Sequence, residues 1–250
     1  MKKYVLALFL VVLPLVSWQC ATTGKSSERR TSDEYMKMAQ EHIDKEKFLE
    51  AKEDLLEARN HYRTGEVDAR LLRSLGDVHF ELEEFDQAAD LYREFLRLHP
   101  RHEMVPPVAF KLGEVYLKQI SSPNRTLEPA RNARDIFSRV IEGYPSSGEA
   151  ALAAQKLTVI RDLLAEGELV VARFYFKKKN YLGVVGRCET VLGTYSSSSG
   201  EEEALHLLGE SHRILGNAEK AAESFRLLLE RFPDGEYASE ARQNLSDGKS

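Results

Sequence analysis

The side chains best suited to chemistry in this chain are its seven histidines and two cysteines. His99 and His102 stand three apart around Pro100, with Glu103 beside them, a set that could begin a metal site or an acid–base pair. A zinc site needs three or four ligands held in fixed geometry. No third ligand stands at a defining interval and no helix fixes the pair, so a solvated loop is the reading adopted. His42, His79 and His212 recur at one position of a repeating pattern, and Tyr116 and Tyr175 take that position elsewhere. A shared packing slot accounts for them. Cys20 and Cys188 are too few and too far apart for a disulfide framework or a zinc cluster. Cys188 falls within a predicted helix as a small buried thiol. Gly24-Lys25-Ser26 echoes the end of a phosphate-binding loop, but Gln19 occupies the place of its first glycine. His-Glu-x-x-His, Cys-x-x-Cys and Gly-x-Ser-x-Gly do not occur. The expectation is a protein that catalyses nothing and needs no metal or cofactor.

The charges support a binding role of a restricted kind. A chain of 250 residues with 42% hydrophobic and 30% charged residues can bury a core, and its net charge of −5 provides no broad basic field for nucleic acid. Glu81-Leu82-Glu83-Glu84 and Glu201-Glu202-Glu203 fall at a turn and a helix start, where solvation and the helix dipole account for them. Lys177-Lys178-Lys179 ends a helix, where cations are favoured for the same reason, and is a candidate contact for a membrane or an acidic partner.

The N-terminus carries a different signal. Lys2 and Lys3 precede an apolar run from Tyr4 to Trp18, the layout of a secretory signal. At about 1.5 Å per residue the run is too short to span a hydrocarbon core of about 30 Å. Cys20 follows at once, then the polar stretch Ala21-Thr22-Thr23-Gly24-Lys25-Ser26-Ser27. This resembles a bacterial lipoprotein signal, with Cys20 as the lipid-bearing residue and the polar stretch as a tether. Ser17-Trp18-Gln19 depart from the small residues usual before that cysteine.

One frame repeats along the rest of the chain. It holds Leu72, Leu75-Gly76, His79, Phe85, Ala88, Tyr92, Phe95 and Pro100, and again Leu205, Leu208-Gly209, His212, Ala218, Ala221, Phe225, Leu228 and Pro233. Tyr35, Met38-Ala39, His42, Phe48, Ala51, Leu55 and Ala58 fit with alanine in the glycine place. Glu168, Val171-Ala172, Tyr175, Tyr181, Val184, Cys188 and Val191 fit without the closing proline. Another unit begins at Ala109, Leu112-Gly113 and Tyr116, is interrupted by Ser121-Ser122-Pro123-Asn124-Arg125, and resumes at Ala133, Phe137, Val140 and Pro145. This spacing is that of tetratricopeptide repeats (TPRs). It predicts an all-α solenoid of about five helical hairpins, with an extra helix over about residues 148–166, after the third unit. Small residues let paired helices approach closely, and each unit needs its neighbours to bury its apolar face.

The predicted organisation is a signal over residues 1–19, a tether over 20–31, units 1–3 over 32–146, a linking helix with units 4–5 over 147–245, and a tail over 246–250. In such stacks the first helix of each hairpin lines a groove. The groove positions here are Met36, Gln40, Ile43, Arg73, Asp77, Phe80, Phe110, Glu114 and Leu117, with Tyr62 from the turn after the first hairpin. Their mixed character suits a segment held by side-chain anchors and hydrogen bonds, although Ile43, Phe80 and Leu117 could equally serve the core.

Residues 161–175 (RDLLAEGELVVARFY), with Lys179-Asn180-Tyr181 through Arg187, Glu203-Ala204-Leu205 and Leu215-Gly216, resemble a signature of the BamD family of outer-membrane assembly lipoproteins. So do Phe95-Leu96-Arg97-Leu98-His99-Pro100-Arg101-His102 and Ile141-Glu142-Gly143-Tyr144-Pro145-Ser146-Ser147. The resemblance covers about residues 33–245, insertion and extra helix included. It implies a protein lipid-anchored to the periplasmic face of the outer membrane, bound to the periplasmic domains of a BamA-like β-barrel insertase and to accessory lipoproteins, and receiving unfolded outer-membrane proteins. Arg187 matches the family arginine on the insertase-facing side; Arg173 and Lys177, Lys178 and Lys179 are further partner-binding candidates. The family's aromatic-proline turn after the first hairpin is only partly kept in His61-Tyr62-Arg63-Thr64-Gly65, and Asn124-Arg125-Thr126 replaces its acidic start after the insertion. The alternative is another envelope TPR adaptor, such as one coordinating cell-wall synthesis or division.

Overall fold

The computed structural model describes residues 30–61, 65–120 and 126–247. The signal segment, Cys20, Tyr62 and the 121–125 insertion lie outside them. The described residues form eleven helices and no strand: α1 (Ser32–Ile43), α2 (Phe48–His61), α3 (Gly65–Glu81), α4 (Phe85–Leu98), α5 (Val105–Lys118), α6 (Glu128–Gly143), α7 (Gly148–Lys177), α8 (Tyr181–Thr194), α9 (Glu201–Ile214), α10 (Ala218–Arg231) and α11 (Ala238–Asp247). Successive pairs α1–α2 through α9–α10 make five hairpins, each packed on the next, and α11 covers α10. First helices also meet one another, α1 with α3, α5 with α7 and α7 with α9, so they share one face of the stack. The chain is an all-α solenoid of TPR type.

Size complementarity holds each hairpin shut. A methyl group on Gly113 or Gly209 would lie 2.6 Å from the ring of Phe137 or Phe225, and one on Gly76 would strike Tyr92. All three rings are buried. Where alanine takes the glycine place the opposite residue is smaller: Ala39 with Leu55, Ala172 with Cys188, all four buried. The helix axes thus approach as closely as the pair of side chains between them permits.

Four of the five hairpin turns share one conformation. Glu46, Glu83, Lys179 and Gly216 have positive φ of 56°, 58°, 58° and 78°. In each turn the next residue's N–H bonds the carbonyl five residues back, on His42, His79, Tyr175 and His212 respectively. The recurrent histidine slot is therefore the last turn of the first helix in these four hairpins, where its backbone closes the turn. Helix starts follow local chemistry too. The Thr31 hydroxyl accepts from the Glu34 N–H, and the Glu34 carboxylate accepts from the Thr31 N–H at 2.7 Å, a capping box.

Two features refine the predicted layout. The extra helical length after the third unit is continuous with the first helix of the fourth, giving the 30-residue α7. Gly167 lies within it, with Leu127 occupying the space where a Gly167 side chain would stand. Beyond Pro233, where the fifth unit was expected to close, α11 adds a terminal helix that reaches into the predicted tail. Ala238 and Ala241 are buried there, with Leu245 packed on the small cluster of Leu205, Phe225 and Leu228. This cluster seals the end of a core that runs from α1 to α9.

Candidate protein-docking surfaces

Some of the predicted groove positions are linked across α3 and α5. On α3, Asp77 accepts a 2.7 Å hydrogen bond from the buried Tyr92 hydroxyl and lies 3.4 Å from Arg73. Burial raises the Tyr92 pKa, with Asp77 adding to the effect, so the phenol stays a donor. Lys111 Nζ on α5 sits 4.9 Å above the Phe80 ring and 3.5 Å from Glu114, which also meets Lys156 of α7 at 3.4 Å. One chain of contacts thus joins α3, α5 and α7. Met36, Ile43, Phe80 and Leu117 are half-buried against the core, and Gln40 is exposed and bonds Asp44 at 2.8 Å. Phe110 is buried, its ring 5.3 Å from that of Phe137, which makes it a core residue rather than a lining one. Lys111 and Lys156 escaped the sequence reading because their role depends on a neighbour from another unit.

A second constellation lies in the C-terminal half. Arg187 on α8 donates through one guanidinium nitrogen to Glu168 of α7 at 2.8 Å. Glu168 is only 9% exposed, while the Arg187 side chain is 41% exposed. The Glu168 hydrogen bond raises the Arg187 pKa, so the group is a permanent cation with donors left over. The signal for this pair is in the sequence: Glu168 stands where Tyr35, Leu72 and Leu205 stand in other units. A carboxylate in an apolar slot requires a cation beside it. Arg173 is held differently. It makes 2.8 and 3.0 Å bonds to both carboxylate oxygens of Glu203 on α9 and another to Glu166, which clamps the fourth unit to the fifth. Lys177, Lys178 and Lys179 are exposed at the α7–α8 turn.

The histidines between α4 and α5 depart from expectation. His99 and His102 are half-buried, not solvated. His99 pairs with Asp68 at 3.1 Å and His102 with Glu66 at 3.0 Å, and both rings pack on Phe95 at 5.5 Å. They tie the α4–α5 turn to the start of α3. Among the described residues no group of three or more His, Cys, Asp or Glu side chains could hold a metal ion, and no helix is long and apolar enough to cross a membrane. Cys188 is buried, and burial pushes its thiol up to about 12.

The chain is similar to several known proteins. The sequence profile of the family described as "YfiO: Outer membrane lipoprotein" matches residues 28–227. A Neisseria meningitidis serogroup A protein named "Outer membrane protein assembly factor BamD" is 26% identical over 97% of this chain and 96% of its own length. A Rickettsia prowazekii protein of the same name is 27% identical over 80% of this chain and 79% of its own. Among solved structures, the "TPR2AB-domain:pHSP90-complex of yeast Sti1" aligns over 87% of this chain and 83% of its own, at 11% identity and a TM-score of 0.47.

Proposed function

Because the chain belongs to the YfiO family of outer membrane lipoproteins, we propose that it is a non-enzymatic scaffold of the outer-membrane β-barrel assembly machinery. The observation that carries this reading is the near end-to-end similarity to proteins named as outer membrane protein assembly factors. In this reading Cys20 bears the lipid that holds the chain to the periplasmic face of the outer membrane. The C-terminal units hold the periplasmic domains of a BamA-like insertase, with accessory lipoproteins beside it. The groove on α1, α3 and α5 receives extended segments of unfolded outer-membrane proteins. Holding substrate and insertase on one stack raises their effective concentration without any chemical step.

Arg187 supports this assignment physically: a cation anchored by a buried carboxylate is oriented before a partner arrives, which lowers the cost of ordering it on binding. Replacing it with glutamate would set two carboxylates together and disturb the fold, so the informative variant is Arg187→Lys. Lysine keeps the charge beside Glu168 but loses the planar multidonor fork. Binding to the purified periplasmic domains of a BamA-like insertase should weaken about tenfold or more, consistent with roughly 1.5–3 kcal/mol for a charge-assisted hydrogen bond, with melting unchanged. Unaltered affinity would remove Arg187 from the docking surface.

A further inference from the structure

The hairpin tip joining α7 to α8 is chemically set apart. From Leu169 to Cys188 the sequence contains Arg173, Lys177, Lys178, Lys179 and Arg187 and no aspartate or glutamate, in a chain with 40 acidic residues. The two arginines spend their charge on Glu166, Glu203 and Glu168. The three lysines are exposed and, among the described residues, meet no carboxylate within ion-pair distance. On either side of them stand Phe174, 55% exposed, and Leu182, 73% exposed. Lys178 Nζ lies 5.9 Å from the Phe174 ring. The turn itself is fixed: Lys179 is left-handed, and the N–H groups of Lys179 and Asn180 bond the carbonyls of Phe176 and Tyr175 at 2.9 Å.

Leaving two large apolar side chains exposed to water contributes nothing to folding, and leaving three adjacent lysines unpaired adds mutual repulsion. Both features become favourable at one kind of surface. Lysines flanked by apolar side chains suit the boundary of a bilayer, where the apolar groups enter the headgroup region and the lysines meet phosphate. We propose that the α7–α8 tip rests on the anionic phospholipid surface of the membrane that anchors the chain. An acidic protein segment fits less well, since Phe174 and Leu182 project from a hairpin corner, whereas an extended segment needs a groove. Contact at this tip, in the fourth unit, together with an N-terminal anchor would fix the tilt of the whole stack instead of letting it swing on a tether.

The test uses the full chain, purified from membranes and reconstituted into vesicles of equal parts phosphatidylcholine and phosphatidylglycerol. Leu182→Cys carries a polarity-sensitive fluorophore; buried Cys188 is shielded from labelling, and the unsubstituted chain gives the background. Emission should shift to the blue and be quenched by headgroup-labelled nitroxide lipid, while the same probe at exposed Leu49 on α2 reads water. Each lysine near an anionic surface contributes a factor of about five. Lys177→Gln, Lys178→Gln and Lys179→Gln together, or pure phosphatidylcholine vesicles, should therefore reduce the immersed fraction at least tenfold, with helicity unchanged. A tip that reads water in both vesicle types overturns the proposal. So does a blue shift that appears only when an insertase's periplasmic domains are added, which would make the tip a protein contact. Insertase binding is no part of the main readout, so this claim and the scaffold claim fail separately.

Discussion

At the scale of single residues, burial decides what the polar groups do. Desolvation lowers the pKa of His79 and of His212 below the ordinary 6.5; Glu84 opposes the shift at His79, and Lys220 adds to it at His212. The folded chain then binds fewer protons than the unfolded chain, so their contribution is complete above the unfolded value and declines as pH falls through it. The melting temperature should drop between about pH 7.5 and about pH 5.5. His212→Tyr, which copies the residue at 116 and 175, should make that drop smaller; an unchanged pH slope would show that the buried imidazole is not responsible. The recurrent histidine slot was legible from spacing alone. The pairing of His99 with Asp68 and of His102 with Glu66 was not, since the partners lie 31 and 36 residues away and nothing local ties them together. Resemblance singled out Arg187 as a partner-binding candidate, and its ion pair with Glu168 could have been read from a charge in an apolar slot.

At the scale of the element, volume is conserved between the two helices of a hairpin. Glycine faces Tyr92, Phe137 and Phe225, whereas Ala172 and Cys188 occupy the matching places of the fourth unit. Cys188→Phe alone should overpack that hairpin at a cost of about 1–3 kcal/mol. Ala172→Gly alone should cost about 1 kcal/mol through helix propensity. Combined, they recreate the pairing of the second, third and fifth units, so the double variant should be more stable than the sum of the single costs by roughly 1 kcal/mol or more. Denaturant unfolding of the four proteins measures this coupling; strict additivity would refute size matching as the closing force. The same small residues made the hairpins visible in the sequence. They also obscured α7, because Gly167 looks like a boundary until Leu127 is seen filling its side-chain space. The terminal α11 was hidden by its shortness and by Pro233, which in earlier units ends the repeat.

At the scale of the whole molecule, stability comes from the contacts between units. Arg173 joins the fourth unit to the fifth through Glu203, Lys52 joins the first to the second through Glu84 at 2.8 Å, and Lys156 joins the third to α7 through Glu114. A stack tied in this way is a stiff frame that keeps the strip on its first helices at a set distance from the cationic region at α7–α8. The number of units and the solenoid architecture were readable from internal repetition. Which surface meets which partner was not, because exposed positions vary without breaking the frame. The most direct test is affinity purification of the tagged chain from membranes in mild detergent, with mass-spectrometric identification of what accompanies it. The scaffold account predicts a BamA-like β-barrel insertase in near-equal amount. Recovery of cell-wall or division proteins in its place would contradict it.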